Sequence, residues 1–172
     1  MKALVVYESM WGNTEQVARA VANGIGESMP VDLVEVGQAP ADPGPDYTVL
    51  VAGGPTHAFS MSRPTTRADA HQRGAAEGSE ATGLREWLDR LPTQPHAGPV
   101  ATFDTRVAKM RHLPGSAAKS AAKEAVRHGY QRVMRSESFY VADMDGPLLD
   151  GELERATQWG RDVAATVQVT PQ

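Results

Sequence analysis

The stretch YESMWGNTEQVA, from Tyr7 to Ala18, decides how this chain folds. It joins an apolar run rich in valine to a helical pattern in which Val17, Val21 and Ile25 recur every four residues. The joint contains Ser, Gly, Asn and Thr, but no Lys or Arg. Small residues let the backbone turn its N–H groups inward, and a helix N-terminus adds about half a positive charge. The stretch therefore predicts a strand, an anion-binding loop without cationic side chains, and a helix.

The remainder of the chain alternates strand-like and helix-like segments. Apolar runs predict strands over residues 31–36, 47–52, 99–103 and 132–141. Helical spacing is found in three segments: 84–91, with Trp87 in the core; 116–129, with Ser116 as N-cap; and 149–167, with Leu149, Leu153, Ala156, Gly160, Val163 and Val167 facing inward. This alternation, with right-handed crossovers, predicts a three-layer α/β/α doubly wound sandwich with a parallel sheet and residues 31–36 near its edge.

Length and composition describe an ordinary globular protein. The chain has 172 residues, of which 41% are apolar and 22% charged, and its net charge is −4. We expect one domain over residues 1–172, no general binding to nucleic acid or anionic membranes, and a monomer or weak homodimer. The apolar run before Tyr7 is too short for a signal peptide, so we expect a cytoplasmic location. The absence of cysteine excludes disulfides, thiolate nucleophiles and Fe–S clusters.

One segment departs from this pattern. Residues 62–83 contain no aliphatic residue larger than Ala, no Met and no aromatic residue. Such a segment buries little apolar surface, so we expect a solvated polar loop, with a short helix after Pro64.

Three segments follow the carboxyl ends of predicted strands: residues 8–13, 53–61 and 104–113. In an open parallel sheet such segments converge on one crevice, where ligands bind. The first segment lacks the lysine and spacing of a Walker A loop, and it lacks G-x-G-x-x-G. A terminal monophosphate therefore fits it better than a triphosphate or a pyrophosphate. The plainer alternative is that Ser9, Asn13 and Thr14 only cap the helix.

Residues 5–14, followed by Ala18, resemble the phosphate-loop signature of the flavodoxin family. Residues 53–57 and 102–106 resemble the family's second and third flavin loops, and Gly151-Glu152-Leu153 resembles the entry to its last helix. The resemblance implies a flavodoxin-like fold with five parallel strands in the order 2-1-3-4-5 and non-covalently bound FMN. It also places the polar segment of residues 62–83 near the flavin site. By position, the cofactor-binding residues would be Ser9, Met10, Trp11, Gly12, Asn13 and Thr14 at the phosphate, Pro55, Thr56, His57, Ala58 and Phe59 on one face of the ring, and Phe103, Asp104, Thr105 and Arg106 at its edge and pyrimidine side.

The flavin, and no catalytic side chain, would carry the reaction. Negative charge near the flavin N1 lowers the reduction potential, which makes Asp104 a candidate for that role, and Arg106 would oppose it. We interpret Trp159 and Arg161 as surface residues, and Lys109, Arg111 and His112 as a solvated basic loop. The spacing of Asp143, Asp145 and Asp150 lacks the rest of an EF-hand, and no metal site is predicted.

Three functions remain open at this point. The leading one is an electron-transfer flavoprotein that exchanges electrons with redox partner proteins. The second is an oxidoreductase in which a reduced nicotinamide donor reduces FMN, which then reduces a quinone or similar small acceptor. The third is a flavodoxin-like module that has lost FMN and acts in binding or regulation. The mild net charge of −4 weakens the first, because family shuttles usually present a strongly acidic face.

Overall fold

The structure is a computed structural model and describes residues 1–169. It contains a mainly parallel sheet with helices on both faces. The strands are β1 (Ala3–Tyr7), β2 (Val31–Glu35), β3 (Val49–His57), β4 (Ser60–Met61), β5 (Gly98–Val107), β6 (Tyr130–Arg132) and β7 (Glu137–Val141). The helices are α1 (Asn13–Gly26), α2 (Pro64–Gln72), α3 (Leu84–Asp89), α4 (Ala117–Arg127) and α5 (Glu152–Val169), with short 3₁₀ turns at Val36–Gln38 and Ala108–Met110.

The sheet has the predicted flavodoxin-like order. Strand β2 lies at one edge, followed by β1, β3 and β5, and the opposite edge lies beside β5. The prediction of one continuous last strand over residues 132–141 is wrong, because that edge is divided. Strand β6 pairs with the start of β5 and β7 with its end. Between them the chain leaves the ladder, and Val133 and Met134 pack against the core.

The core consists of two apolar layers, one on each face of the sheet. One layer packs α1 and α5 against the sheet, and the other packs α3 and α4. Helices α1 and α5 approach so closely that a Cβ atom on Gly24 would overlap the carbonyl oxygen of Thr157. A Cβ atom on Gly160 would overlap the carbonyl oxygen of Val21. This contact fixes α1, and therefore the loop that precedes it, against the sheet.

The inner stripe predicted for α5 is confirmed at Ala156, Gly160, Val163 and Val167, but the prediction is wrong at three other residues. Trp159 was predicted at the surface, but it is only 5% exposed. Its indole packs edge-on against Phe103 and Phe139, with ring centroids 5.9 and 6.2 Å away. Leu149 and Leu153, predicted to face inward, are 39% and 38% exposed. Arg161 lies at the surface as predicted, in an ion pair with Glu27.

The segment 62–83 is more buried than predicted. The expected helix after Pro64 is present as α2. However, Arg67 within it is fully buried. Its guanidinium donates hydrogen bonds to Ser62 Oγ at 2.8 Å, Glu86 Oε1 at 2.9 Å and the Glu80 carbonyl oxygen at 3.0 Å. Most of the segment is exposed, as expected of a solvated loop, but the expectation is wrong at Arg67, where an ionic network and not aliphatic side chains fills the interior.

Among residues 1–169, no helix combines the length and the apolar character needed to cross a membrane.

Candidate functional site

Strands β3 and β5 extend further than predicted at the carboxyl edge of the sheet. β3 continues to His57 and β5 to Val107, so residues 53–57 and 104–106 are strand and not loop. The two extensions are paired in parallel, with Pro55 opposite Thr105. The hydrogen bonds between the two extensions satisfy their backbone groups. This pairing outweighs the turn preference of the Gly53-Gly54-Pro55 sequence.

After His57 the chain reverses in a tight hairpin. Strand β4 pairs antiparallel with the end of β3, and Ala58 and Phe59 form the turn with φ values of 47° and 66°. Such turns require positive φ at both central positions, where glycine and asparagine are preferred. The hairpin is fixed to the start of α4, because the Ala117 amide donates to Thr56 Oγ1 at 3.0 Å. Phe59 is 45% exposed at the tip.

A cavity of about 360 Å³ opens at this edge of the sheet. Its volume lies within the range of about 300–1,000 Å³ that is typical of small-molecule and cofactor sites. It is lined by Met10, Trp11, Asn13 and Thr14 from the first loop and α1; Pro55, Thr56, His57, Ala58 and Phe59 from the hairpin; Thr66, Asp69, Ala70 and Arg73 from α2 and the residue after it; and Thr105, Arg106, Val107, Met110, Val141 and Met144 from β5, β7 and the turns that follow them. The structure thus brings the three predicted segments together.

Four of the predicted cofactor residues do not line the cavity. Ser9 and Gly12 belong to the first loop and stabilise its conformation. Ser9 Oγ accepts hydrogen bonds from the amides of Gly12 at 3.1 Å and Glu15 at 3.4 Å. The second of these bonds caps the start of α1, as the plainer interpretation of Ser9 expects. Phe103 is fully buried in the core. Asp104 is also fully buried and accepts a hydrogen bond from the Ala118 amide of α4 at 2.9 Å. Both lie further from the end of β5 than Thr105 and Arg106, so they do not reach the cavity where the sequence predicted them.

Backbone donors of the first loop have no partner inside the protein. Within residues 1–169 the amides of Met10, Trp11, Asn13 and Thr14 form no hydrogen bond. Gly12 has φ of 87°, which turns the chain sharply before α1 begins. Unpartnered amides at the N-terminus of a helix form a binding site for an anion. The predicted cradle is therefore present in the backbone.

The side chains of Asn13 and Thr14 connect this loop to its neighbours. Thr14 Oγ1 and Thr105 Oγ1 are 2.7 Å apart and share a hydrogen bond. Asn13 Nδ2 donates to the carbonyl oxygen of Asp145 at 3.2 Å. The capping alternative does not apply to these two side chains, because α1 has Gly12 at its N-cap and no side-chain bond from that residue.

The sequence predicted a polar insert near the flavin site, but not that residues 64–80 would form a wall of the cavity. Trp11 packs against a small cluster formed by Met10, Ala70 and Ala75. The Glu77 amide donates to the carbonyl oxygen of Met10 at 3.2 Å, so this segment lies directly on the first loop. Alanine-rich polar helices carry no periodic signal strong enough to predict such a contact.

A buried ionic network holds this wall in place. Glu8, the residue before Ser9, accepts hydrogen bonds from Ser62 Oγ at 2.5 Å and from the Leu84 amide at 2.7 Å. Ser62 in turn accepts a bond from Arg67, which is ion-paired with Glu86. Burial raises the pKa of Glu8 above its ordinary value, against the opposing effect of these hydrogen bonds and of Arg67. The network joins α2 and α3 to the first loop.

His57 is a half-buried polar group in the cavity. Its Nδ1 lies 3.1 Å from Thr66 Oγ1. Burial, with a smaller effect of the positive charge on Arg67, lowers the pKa of His57 below its ordinary value. The imidazole is therefore neutral at pH 7 and adds no charge to the site.

Arg106 is the buried cation of the cavity. It is 6% exposed, and its Nη2 donates to the carbonyl oxygens of Met110 at 2.6 Å and Leu113 at 3.3 Å. Among the residues that the structure describes, its buried Nε has no hydrogen-bond partner.

Comparison with known proteins agrees with this architecture. Residues 5–83 match the family model described as flavodoxin. A flavodoxin from the domain Archaea superposes with a TM-score of 0.67 at 21% identity, covering 98% of this chain and 99% of that chain. A point mutant of flavodoxin from Pseudomonas aeruginosa superposes with a TM-score of 0.65 at 13% identity, covering 98% and 99%. Residues 5–83 therefore resemble the flavodoxin family in sequence, and the chain has a flavodoxin-like fold.

Flavodoxin-like folds also form part of longer proteins. The flavodiiron protein from Giardia intestinalis superposes with a TM-score of 0.63 at 17% identity, covering 97% of this chain but 36% of that one. No curated protein matches the sequence.

Flavodoxins bind FMN, and the cavity described above can be tested against that ligand. The unpartnered amides of the first loop suit a terminal phosphate. The mainly apolar walls between the hairpin and β5 suit a flat aromatic ring. The residues present therefore fit the cofactor of the flavodoxin family.

Proposed function

We propose that this protein binds FMN non-covalently in the cavity and transfers electrons through it. The observation that carries the proposal is the set of unpartnered amides at the start of α1, which opens on a cavity of cofactor size. A Walker-type site would use a lysine, and the first loop has none. A flat heterocycle that carries a monophosphate would match both parts of the cavity, the unpartnered amides and the mainly apolar walls.

The parts of the site have separate roles in binding. The amides of Met10, Trp11, Asn13 and Thr14 would hold the phosphate, with the Thr14 hydroxyl beside them. Phe59 and His57 on the hairpin would contact the ring, since aromatic side chains pack favourably on flat π-systems. When bound, FMN supplies the redox chemistry by accepting and releasing electrons.

The rim of the cavity supports exchange of electrons with a partner outside the protein. Three large apolar side chains stand exposed around the opening: Phe59, Met110 and Met144 are 45%, 43% and 47% exposed. Exposed apolar residues grouped around a site are typical of a surface that another molecule covers. A ring held behind this rim would be within reach of a redox partner protein or a reduced nicotinamide.

The experiment begins with the flavin content of the purified chain. We expect either bound FMN after purification or uptake of one FMN per chain by the stripped protein. Visible circular dichroism and loss of flavin fluorescence would report the binding. A folded protein that neither carries nor takes up FMN would contradict the proposal and favour a module that has lost its flavin.

A second measurement separates the shuttle from an enzyme that uses a nicotinamide. The FMN-loaded protein is mixed with NADPH alone in an anaerobic stopped-flow instrument. We expect slow or no bleaching, followed by full bleaching with dithionite. Prompt bleaching by NADPH would replace the electron-transfer proposal with a nicotinamide-dependent oxidoreductase.

A further inference from the structure

Three large apolar side chains form an exposed patch on one side of the cavity mouth. Phe59 at the hairpin tip, and Met110 and Leu113 in the turn after β5, are 45%, 43% and 42% exposed. The turn lies directly on the hairpin, because a Cβ atom on Gly115 would come within 2.6 Å of the Phe59 carbonyl oxygen. Arg106 Nη2 holds the turn by donating hydrogen bonds to the carbonyl oxygens of Met110 and Leu113. The fold therefore presents this apolar patch before any partner binds, which favours binding.

The two segments that carry the apolar patch contain charges of one sign. Residues 105–123, which include the turn and the start of α4, contain five lysines and arginines but no aspartate or glutamate. Residues 53–68, which include the hairpin, contain two arginines and again no acidic residue. The chain as a whole has a net charge of −4, so this side of the mouth is basic on an acidic protein.

Four of these cations are exposed and surround the apolar patch: Arg63, Lys109, Arg111 and Lys119. Among residues 1–169, none of the four forms an ion pair. Helix α4 brings Lys119 to this side, because the adjacent Ser120 hydroxyl lies 2.9 Å from the Ser60 hydroxyl of the hairpin. The positive charges are therefore available to a partner in solution.

The opposite side of the cavity mouth has the opposite charge. Met144 lies there between Asp143 and Asp145, and all three residues are exposed. The mouth thus separates a basic side from an acidic one. Such a charge distribution orients an approaching partner, since acidic groups of the partner are attracted to the hairpin side and repelled from Met144.

We propose that the electron-transfer partner is a redox protein with an acidic face, which docks on the apolar patch and the four cations around it. This inference rests on the proposed function. An apolar centre with charged residues at its rim is the usual composition of a protein–protein interface. The exposed cations raise the association rate with an acidic surface, and burial of the apolar patch stabilises the complex.

The test uses two small redox proteins of opposite charge as probes. Plastocyanin has acidic patches, whereas cytochrome c has lysines around its haem edge. The FMN-loaded chain is reduced with stoichiometric dithionite and mixed anaerobically with one oxidised probe in a stopped-flow instrument. One electron leaves the bound reduced FMN for each Cu(II) reduced to Cu(I), or each Fe(III) reduced to Fe(II). Rate constants are measured from about 0.01 M to about 0.15 M salt, where the Debye length falls from about 30 Å to about 8 Å.

Two double variants separate local charge from net charge. Lys109→Gln with Arg111→Gln removes two of the four cations. Arg90→Gln with Arg132→Gln is the matched control, because both arginines are exposed and neither forms an ion pair among the described residues. Arg90 follows α3, and Arg132 ends β6, which pairs with the start of β5 at the end of the sheet opposite the cavity.

For the wild type we expect the rate constant with plastocyanin to fall at least about fivefold over this range of salt, and that with cytochrome c to rise. Lys109→Gln with Arg111→Gln should lose most of the fall, and the control should keep it. A plastocyanin rate constant that does not fall, or a cytochrome c rate constant that falls, would overturn the inference while the proposed function stands. Equal effects of the two double variants would assign the salt dependence to net charge and also overturn it.

Two further outcomes are distinguishable from these. Prompt bleaching by NADPH that disappears in Lys109→Gln with Arg111→Gln would assign the cations to a nucleotide and overturn the inference. If that double variant does not fold, the salt dependence of the wild type with the two probes decides. A wild type that binds no FMN would remove the proposed function, and this inference with it.

Discussion

The hydroxyl groups of Thr14 and Thr105 lie 2.7 Å apart and share a hydrogen bond that joins the start of α1 to the end of β5. Both residues line the cavity, and both are buried. The bond connects the element that would hold a phosphate to the strand that carries Arg106. It couples the two halves of the site through a single pair of side chains.

Removing either hydroxyl should have a different effect on FMN binding. Thr105→Val and Thr14→Val each lose the shared bond, which lowers the free energy of unfolding by about 1 kcal/mol in urea titrations. Thr14→Val also removes a donor next to the unpartnered amides. We therefore expect its FMN dissociation constant to rise several-fold more than that of Thr105→Val. Equal affinities in the two variants would show that the Thr14 hydroxyl does not contact the ligand.

The close contact between α1 and α5 predicts a severe effect of one methyl group. Gly24→Ala places a Cβ atom on the Thr157 carbonyl oxygen, so the helices must separate. We expect the free energy of unfolding to fall by about 1–3 kcal/mol. Gly26→Ala is the matched control, because it adds the same methyl group to α1 where nothing lies within 4 Å. Thermal unfolding should show Gly26→Ala unchanged or more stable; a comparable loss in both variants would refute the account of the contact.

Two substitutions at the hairpin tip separate the effect of backbone strain on stability from the effect of ligand contact on FMN affinity. Ala58→Gly and Phe59→Gly each place glycine at a positive φ, which should raise the free energy of unfolding by up to about 1 kcal/mol. Phe59→Gly also removes the exposed ring at the cavity, so its FMN affinity should fall, whereas Ala58→Gly should bind as the wild type does. Parallel denaturation and FMN titrations give both quantities. Unchanged FMN affinity in Phe59→Gly would exclude Phe59 as a ring contact.

Asp104 should make stability depend on pH. Burial is the main cause that raises its pKa above the ordinary value of 3.8, against the opposing hydrogen bond from Ala118. The folded protein then binds the Asp104 proton more tightly than the unfolded chain. Above pH 3.8, stability is lost as the pH rises through the folded pKa. Asp104→Asn removes this contribution.

We therefore expect the unfolding free energy of Asp104→Asn, relative to wild type, to increase as the pH rises from acidic to neutral values. Glu8 has a raised pKa as well and is unchanged in the variant, so the comparison isolates Asp104. Because Asp104 does not line the cavity, FMN affinity should stay within about twofold of wild type. A difference in stability that decreases with rising pH would contradict the assigned direction.

Local pattern was sufficient to predict an α/β sandwich because the decisive elements are simple and periodic. The repeat of Val17, Val21 and Ile25 gave α1 and the apolar runs gave the strands, whereas the strand order came from the resemblance to flavodoxins. The inner stripe of α5 was predicted correctly at Ala156, Gly160, Val163 and Val167, but Trp159 beside it was wrongly interpreted as exposed. In the structure, Trp159 fills the space between Phe103 and Phe139, which lie on other elements. The sequence pattern of a single helix does not show which side chains of other elements it will pack against.

The sequence predicted which three segments would meet, and the structure brings them to one cavity, but it did not predict all of the residues that line this cavity. The first loop and the hairpin residues reached the cavity, whereas Phe103 and Asp104 did not. The difference arises because strand pairing extended β5 to Val107, so that Phe103 and Asp104 lie inside the sheet and the last three residues of the strand reach the cavity. The contribution of α2 depends on the buried pair of Arg67 and Glu86, which sequence alone presents as two ordinary surface charges.

The central claim is that backbone amides at the start of α1 hold a phosphate group. Comparing the affinities of FMN and riboflavin tests it most directly, because the two ligands share the ring and differ in the phosphate. Fluorescence titration of the stripped protein should give a dissociation constant for FMN at least tenfold lower, equivalent to about 1.4 kcal/mol. Equal dissociation constants for FMN and riboflavin would contradict the claim.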